Sequence, residues 1–364
     1  MTVEAIEAIS AAEGGTGAVA PAPPSGARQT WRRLRGSPAA LAGASVVVLL
    51  VLVALGAPLL AAAEGQDTTT YHPDLLDSAA GAVPRGAFGG VGAHHWLGVE
   101  PTTGRDVFAR LVYGARVSLG IAFGATVLQV VIGVSFGLAA GLGRRWVDGL
   151  VSRTTDVFVV MPALVTAVAL LAVVPGGFPR PVLITLVIGL ISWGGFAKIV
   201  RAQVLTLKSL DYVAASRLAG SSPWRTARRE MLPALVAPVL TYAAIALPTN
   251  ITSEAGLSFL GIGVLPPTPS WGQMLSSATT WYATDSAYVL LPAALLFVTV
   301  LAFTLLAEGI RTALDPRAAG RLRVGTRSGR RPGGRRPAEG GRGPEADGRD
   351  ADSPDARVSG GGWA

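Results

Sequence analysis

Thr249, Asn250, Ser253 and Glu254 lie in "LPTNITSEAGLSFLGIG", a stretch that is otherwise apolar. The pairs 249/253 and 250/254 are each one helical turn apart, which puts them on one side of a helix. A carboxylate in such a segment is costly against lipid, so Glu254 is expected to face a bundle interior or a watery cavity. Two chemistries fit. One is a hydrogen bond between helices, with Glu254 protonated. The other is a translocation path or gate built from Asn250, Ser253 and Glu254, which the default for intramembrane ionisable residues favours.

Other chemistry is scarce. His72, His94 and His95 share one polar stretch, but adjacent histidines make poor cis ligands, so a solvated pair and no metal are expected. The absence of cysteine excludes disulfides, thiolate metal sites and cysteine nucleophiles. Lys198 follows Ala197 and Lys208 follows Leu207, so neither sits in a G-x-x-x-x-G-K-S/T phosphate-binding loop. No His/Asp/Glu cluster and no nucleophile–base pair lies in the apolar segments, which argues against a membrane-embedded enzyme.

The elements that must position these residues follow from composition. Half of the 364 residues are hydrophobic and 15% are charged, against about a quarter charged in soluble domains. The apolar residues form blocks long enough to cross a bilayer as helix. Spans are expected near 38–60, 113–141, 155–174, 181–200, 235–260 and 287–309. The loops at Arg144, Arg145 and Arg153, and from Lys198 to Arg229, are strongly basic, whereas 175–181 and 263–286 hold only Arg180 as a basic residue. The positive-inside rule then gives six helices with both termini cytoplasmic. It also explains the net charge of +8, so no nucleic acid is expected.

This reading divides the chain into a disordered tail at 1–30, a basic cluster with an uncleaved first helix at 31–62, and an extracytoplasmic loop at 63–110. A core of five helices follows at 111–312, with a cytoplasmic loop at 211–233. A Gly/Arg-rich, mostly disordered tail fills 313–364; its arginines could meet anionic lipid, bind RNA or merely be solvated. Gly133, Gly137 and Gly141 are four apart, a spacing that lets helices pack closely in a bilayer. Prolines 162, 238 and 248 are expected to bend or break spans. The proline-rich run at 264–274 reads as a stiff outer loop, with Trp271 and Trp281 anchored at the membrane–water interface.

"DYVAASRLAGSSPWRTARREMLP", from Asp211 to Pro233, has a different character. Ala214, Ala215, Leu218 and Ala219 form a small apolar face on a short helix, and Gly220 supplies its stop. Ser222 as N-cap and Pro223 at the first position start a second basic helix from Trp224 to Leu232. Such an element could dock in a groove on another protein, or lie among lipid head groups.

This stretch resembles the cytoplasmic signature loop of ABC importer permeases. Aligned on Gly220 and Trp224, the family's glutamate position holds Ala214, with Ala215 and Ser216 at the paired small positions, and Glu230 to Pro233 close the motif. "TGRDVFARLVYGARVSL" (103–119), "WVDGLVSRTTDVFVVMP" (146–162), "KIVRAQVLTLK" (198–208) and "SEAGLSFLGIGVLPPTPSWGQML" (253–275) are similar to the oligopeptide/dipeptide importer permeases. "WRRLRGSPAALAG" is similar to their C-type subunit, while "GVEPTTGRD" (98–106) is one residue longer than the family's usual turn. The resemblance runs from about Trp31 to Arg317.

The resemblance implies an all-α integral membrane protein with the six helices of the type I, MetI-like permease fold. It implies a homologous second permease, two cytoplasmic ATPase subunits that bind ATP and magnesium, and an extracytoplasmic solute-binding protein, this chain itself needing no cofactor. Asp211, Ala214, Ala215, Ser216, Gly220, Pro223, Trp224, Arg225 and Pro233 would then couple to an ATPase subunit. The alternative is an ion-coupled secondary transporter, which would want paired repeats and several deep ionisable groups. The solute, whether dipeptide, oligopeptide or nickel complex, is not written in this chain.

Overall fold

The computed structural model describes residues 26–174 and 177–314. The expected disorder of the two tails therefore falls mostly outside the described residues, but Gly26–Arg35 forms a first helix, α1. It ends at Gly36, and Ser37 caps α2 (Pro38–Leu55) by accepting the Ala40 N–H at 3.3 Å, with Pro38 pre-set for the first turn. α3 (Ala57–Glu64) follows and stops at Gly65, whose φ of +83° is glycine's own territory. The segment leading to α4 contains a two-residue hairpin, Leu76–Asp77 against Val83–Pro84.

α4 (Val107–Leu142) has 36 residues, about 54 Å of helix. That exceeds the roughly 30 Å hydrocarbon core of a bilayer, so both ends reach beyond it. α5 (Arg145–Val160) and α6 (Ala163–Val173) meet at a bend of 89°. α7 (Arg180–Lys208), α8 (Asp211–Leu218) and α9 (Pro223–Thr226) lead into α10 (Leu232–Phe259). α11 (Trp271–Ala278) and α12 (Ser286–Leu314) complete the described chain.

Among the described residues five helices are long and apolar enough to cross a membrane, and the bent α5–α6 pair makes a sixth if it counts as one span. The span expected over 155–174 is thus broken at Pro162, one of the prolines expected to bend or break a span. Pro162 has no N–H to give, and it pushes Met161 into extended backbone (φ −62°, ψ 130°). α6 keeps 11 residues, about 16 Å, too short to cross alone.

The glycine stripe on α4 fits α7. A Cβ on Gly133 would overlap Phe196, one on Gly137 would lie 2.6 Å from Val200 Cβ, and one on Gly141 2.6 Å from Val204 Cγ1. Gly189 of α7 returns the fit by receiving Leu128. Lys208 Nζ donates to the Gly141 carbonyl, fastening the ends of the two helices. A second close pair is α2 with α12, where Gly43 meets the Ala302 backbone and Gly309 meets Ala40.

Candidate functional site

The α8–α9 element is built as its residues dictate. Gly220 has φ +82°, and the Ser221 N–H turns back to the Ser216 carbonyl at 3.2 Å, closing α8 as a left-handed glycine cap does. Ser222 Oγ accepts the Arg225 N–H at 3.3 Å and starts the next turn. Val213 is fully buried, whereas Asp211, Ala215, Ala219 and Gly220 are exposed and Leu218 is 90% exposed. Ala215, Leu218 and Ala219 thus point away from the described core.

The second short helix does not end before the next span. Residues Ala227–Met231 form a π-turn, with the Leu232 N–H donating to the Ala227 carbonyl, and the helix continues into α10. The wider turn leaves room beside Pro233, which lacks an N–H and in a tight turn would strike the carbonyl four residues earlier. Pro233 is therefore inside a continuous helix and does not mark a break.

The polar stretch of α10 divides into two stripes. Asn250 and Glu254 are 3% and 0% exposed. Asn250 Nδ2 donates to Thr126 Oγ1 at 2.8 Å and to Gln129 Oε1 at 3.1 Å, and Gln129 Nε2 donates back to Asn250 Oδ1 at 3.1 Å. Ser258 Oγ donates to Glu254 Oε1 at 2.8 Å while accepting the Val264 N–H at 3.0 Å. Ser253 instead borders a cleft of about 140 Å³ between α6, α7 and α10, with Ala163, Ala167, Ser192 and Leu257. Thr249 is exposed. Adjacent positions on a helix are 100° apart, so the two pairs occupy neighbouring faces and not one.

Trp271 is not an interface anchor. It is fully buried, its Nε1 donating to the Leu111 carbonyl at 3.1 Å, in a slot that Gly114 leaves open on α4. Trp281 is partly buried. The histidine pair also separates. His94 is exposed, but His95 is buried with Nδ1 2.8 Å from Asp106 Oδ2, because Asp106 stands at the start of α4 as its N-cap. No group of three or more His, Cys, Asp or Glu suited to a metal ion occurs among the described residues.

The segment between α3 and α4 holds a buried ionic knot. Glu100 pairs with Arg105 at 2.8 Å and with Arg110 at 2.6 Å, and accepts from Tyr288 Oη at 3.0 Å. Arg110 also donates to the carbonyls of Thr68 and Pro267 and, at 2.7 Å, to Gln273 Oε1. One guanidinium thereby ties α4, α11 and the loops on either side. Glu64 lies nearby, with Oε1 accepting the Trp96 N–H at 2.7 Å. Burial pushes its carboxyl up to about 7, and the Asp106 charge adds to the rise. Sequence reading passed over Glu100, Arg105 and Arg110. The trace of Glu100 and Arg105 was the polar turn "GVEPTTGRD", whose Gly104 (φ +68°) packs against the His72 backbone; Arg110 stands one turn into α4.

At the other end of α4, a polar pocket of about 350 Å³ lies between α4, α5 and α7. Asp156 pairs with Lys198 at 2.8 Å, and Asp148 takes a two-pronged bond from Arg201. These pairs carry α5 on α7 just before its bend.

Residues 133–320 match the family described as the binding-protein-dependent transport system inner membrane component. Residues 25–78 match the N-terminal TM domain of oligopeptide transport permease C. The glutathione transport system permease protein GsiD of Pectobacterium atrosepticum is 32% identical over 290 residues, covering 80% of this chain and 91% of that one. The dipeptide transport system permease protein DppC of Alkalihalophilus pseudofirmus is 30% identical, with 80% and 90% covered. A chain of the MetNI methionine ABC transporter in an inward-facing conformation is 20% identical at a TM-score of 0.47, over 57% of this chain and 97% of that one. This chain is a member of the binding-protein-dependent transport system inner membrane component family, and it carries the N-terminal domain of the family's oligopeptide permease C proteins.

Proposed function

We propose that this chain forms, with a second homologous permease, the membrane path of an importer for peptides or similar small solutes. Two cytoplasmic ATPase subunits, binding ATP and magnesium, drive it, and an extracytoplasmic solute-binding protein delivers the solute. Both termini lie in the cytoplasm, and hydrolysis belongs to the partner subunits. The family and the glutathione and dipeptide permeases among its relatives support this reading. They do not support an ion-coupled secondary transporter.

The observation that carries the mechanism is the α8–α9 turn. Its apolar residues, Ala215, Leu218 and Ala219, are exposed on a helix pinned beneath by Val213 and stopped by Gly220 at φ +82°. In this reading that face seats in a groove of an ATPase subunit, with Asp211, Ala214, Ser216, Pro223, Trp224, Arg225 and Pro233 completing the coupling segment. The turn continues through the π-turn into α10, so a push on it moves that helix directly. Ser253 borders the path from the α6–α7–α10 cleft, Asn250 holds α10 on α4 from behind, and Glu254 braces the end of α10 through Ser258.

Gly220→Val tests it. A β-branched residue resists positive φ, so the two short helices splay. The variant is expected to insert normally, to lose ATPase subunits on co-purification and to lose uptake. Wild-type stoichiometry with wild-type uptake would remove the turn from the mechanism.

A further inference from the structure

We propose that α1 is a membrane-surface helix that binds anionic phospholipid, with the Trp31 indole at the interface and Arg32 and Arg35 on lipid phosphates. Its sequence, GARQTWRRLR, has four arginines and no acidic residue. Its place is set by contacts. Leu34 Cδ1 lies 3.2 Å from where a Cβ on Gly309 would stand, and the same glycine abuts Ala40 of α2. α1 therefore rests where two spans, the start of α2 and the last turns of α12, leave the hydrocarbon. Leu34 is turned partly inward. Trp31 is 53% exposed, Arg32 and Arg35 are exposed, and the Arg35 guanidinium lies 4.8 Å over the indole.

In water this face leaves an indole 53% exposed, met by the Arg35 guanidinium, beside concentrated positive charge. At the head-group layer each part has a partner, because indoles favour the interface and arginines gain roughly 1 kcal/mol each from an anionic surface. A docked protein is the rival occupant. Charge complementarity favours lipid, since the helix asks for a dense negative surface and the membrane beside it supplies one. The inference is independent of the coupling mechanism and of which side of the membrane α1 occupies.

The test uses the full chain in nanodiscs, where both faces are accessible. The chain has no cysteine, so Trp31→Cys accepts one environment-sensitive fluorophore in place of the indole. Adding about 30% phosphatidylglycerol to phosphatidylcholine discs is expected to shift its emission to the blue, with quenching by spin labels near the head group. Arg32→Gln with Arg35→Gln should lower the ratio of docked to released helix about 30-fold, two arginines at roughly 1 kcal/mol each. With Trp31 intact, tryptic cleavage after Arg33 should slow when phosphatidylglycerol is added, and this protection should vanish in the double variant. Emission and cleavage indifferent to anionic lipid would overturn the proposal. So would a blue shift that requires added ATPase subunits, which would make the occupant a protein.

Discussion

Glu254 shows what burial does to a functional expectation. Its sequence setting favours a path or gate, yet the side chain sits in the protomer interior with Ser258 as its partner. A brace predicts a graded outcome. Glu254→Gln keeps shape and hydrogen bonding and should transport near wild type. Glu254→Leu strands the Ser258 hydroxyl, at a cost of about 1–3 kcal/mol, and should lower both folded yield and uptake. Equal loss in the two variants at normal protein levels would instead mean that charge is needed. Glu64 gives a prediction in pH. Its folded carboxyl titrates at about 7, above the ordinary 4.5, so the fold holds the proton more tightly than the unfolded chain. The sign follows: stability is full below 4.5 and falls as pH rises through 7. Exchange of the Trp96 amide, corrected for intrinsic pH dependence, should show less protection above pH 7 than near 5, and Glu64→Gln should flatten the profile.

At the scale of elements, the apolar blocks locate the long helices because a membrane span needs a length of apolar sequence and little else. The glycine spacing at 133, 137 and 141 was equally readable, since only small residues admit a second helix so closely, although the partner, α7, was not. Reading failed where a side chain's fate depends on a distant element. Trp271 is buried because Gly114, far off in the chain, leaves it a slot. Glu100, Arg105 and Arg110 looked like loop polarity because pairing across α4, α11 and α12 has no local pattern. The break at Met161 was signalled by Pro162, but the 89° angle was not. The glycine seam yields a direct prediction. Gly137→Leu must displace Val200 or the helix behind it, so the permease should be recovered at several-fold lower yield in detergent. Gly120→Leu, where nothing lies within 4 Å of the added Cβ, should be tolerated.

For the whole molecule, the proposed topology puts the segment between α3 and α4 outside and the α8–α9 turn inside. Single cysteines at Thr69 and Ser221 should then react with an impermeant maleimide from opposite sides of the membrane. Labelling of both from outside in intact cells would invert or break the six-span arrangement. The same topology puts the Arg110 knot at one mouth of the bundle and the Asp148–Arg201 pair near the other. α4 runs between them, clasped to α7 along the glycine seam and pinned at its end by Lys208. Two helices so joined behave as a single beam, far stiffer than either alone. Under the proposed coupling, a force applied at the α8–α9 turn would then be passed on with little flexing along the way. It has to tip the beam, and tilting a 54 Å rod by about 10° sweeps its far end through about 9 Å. The knot of Arg110 would ride on that moving tip, so the outer mouth would travel farthest where the chain is most tightly tied.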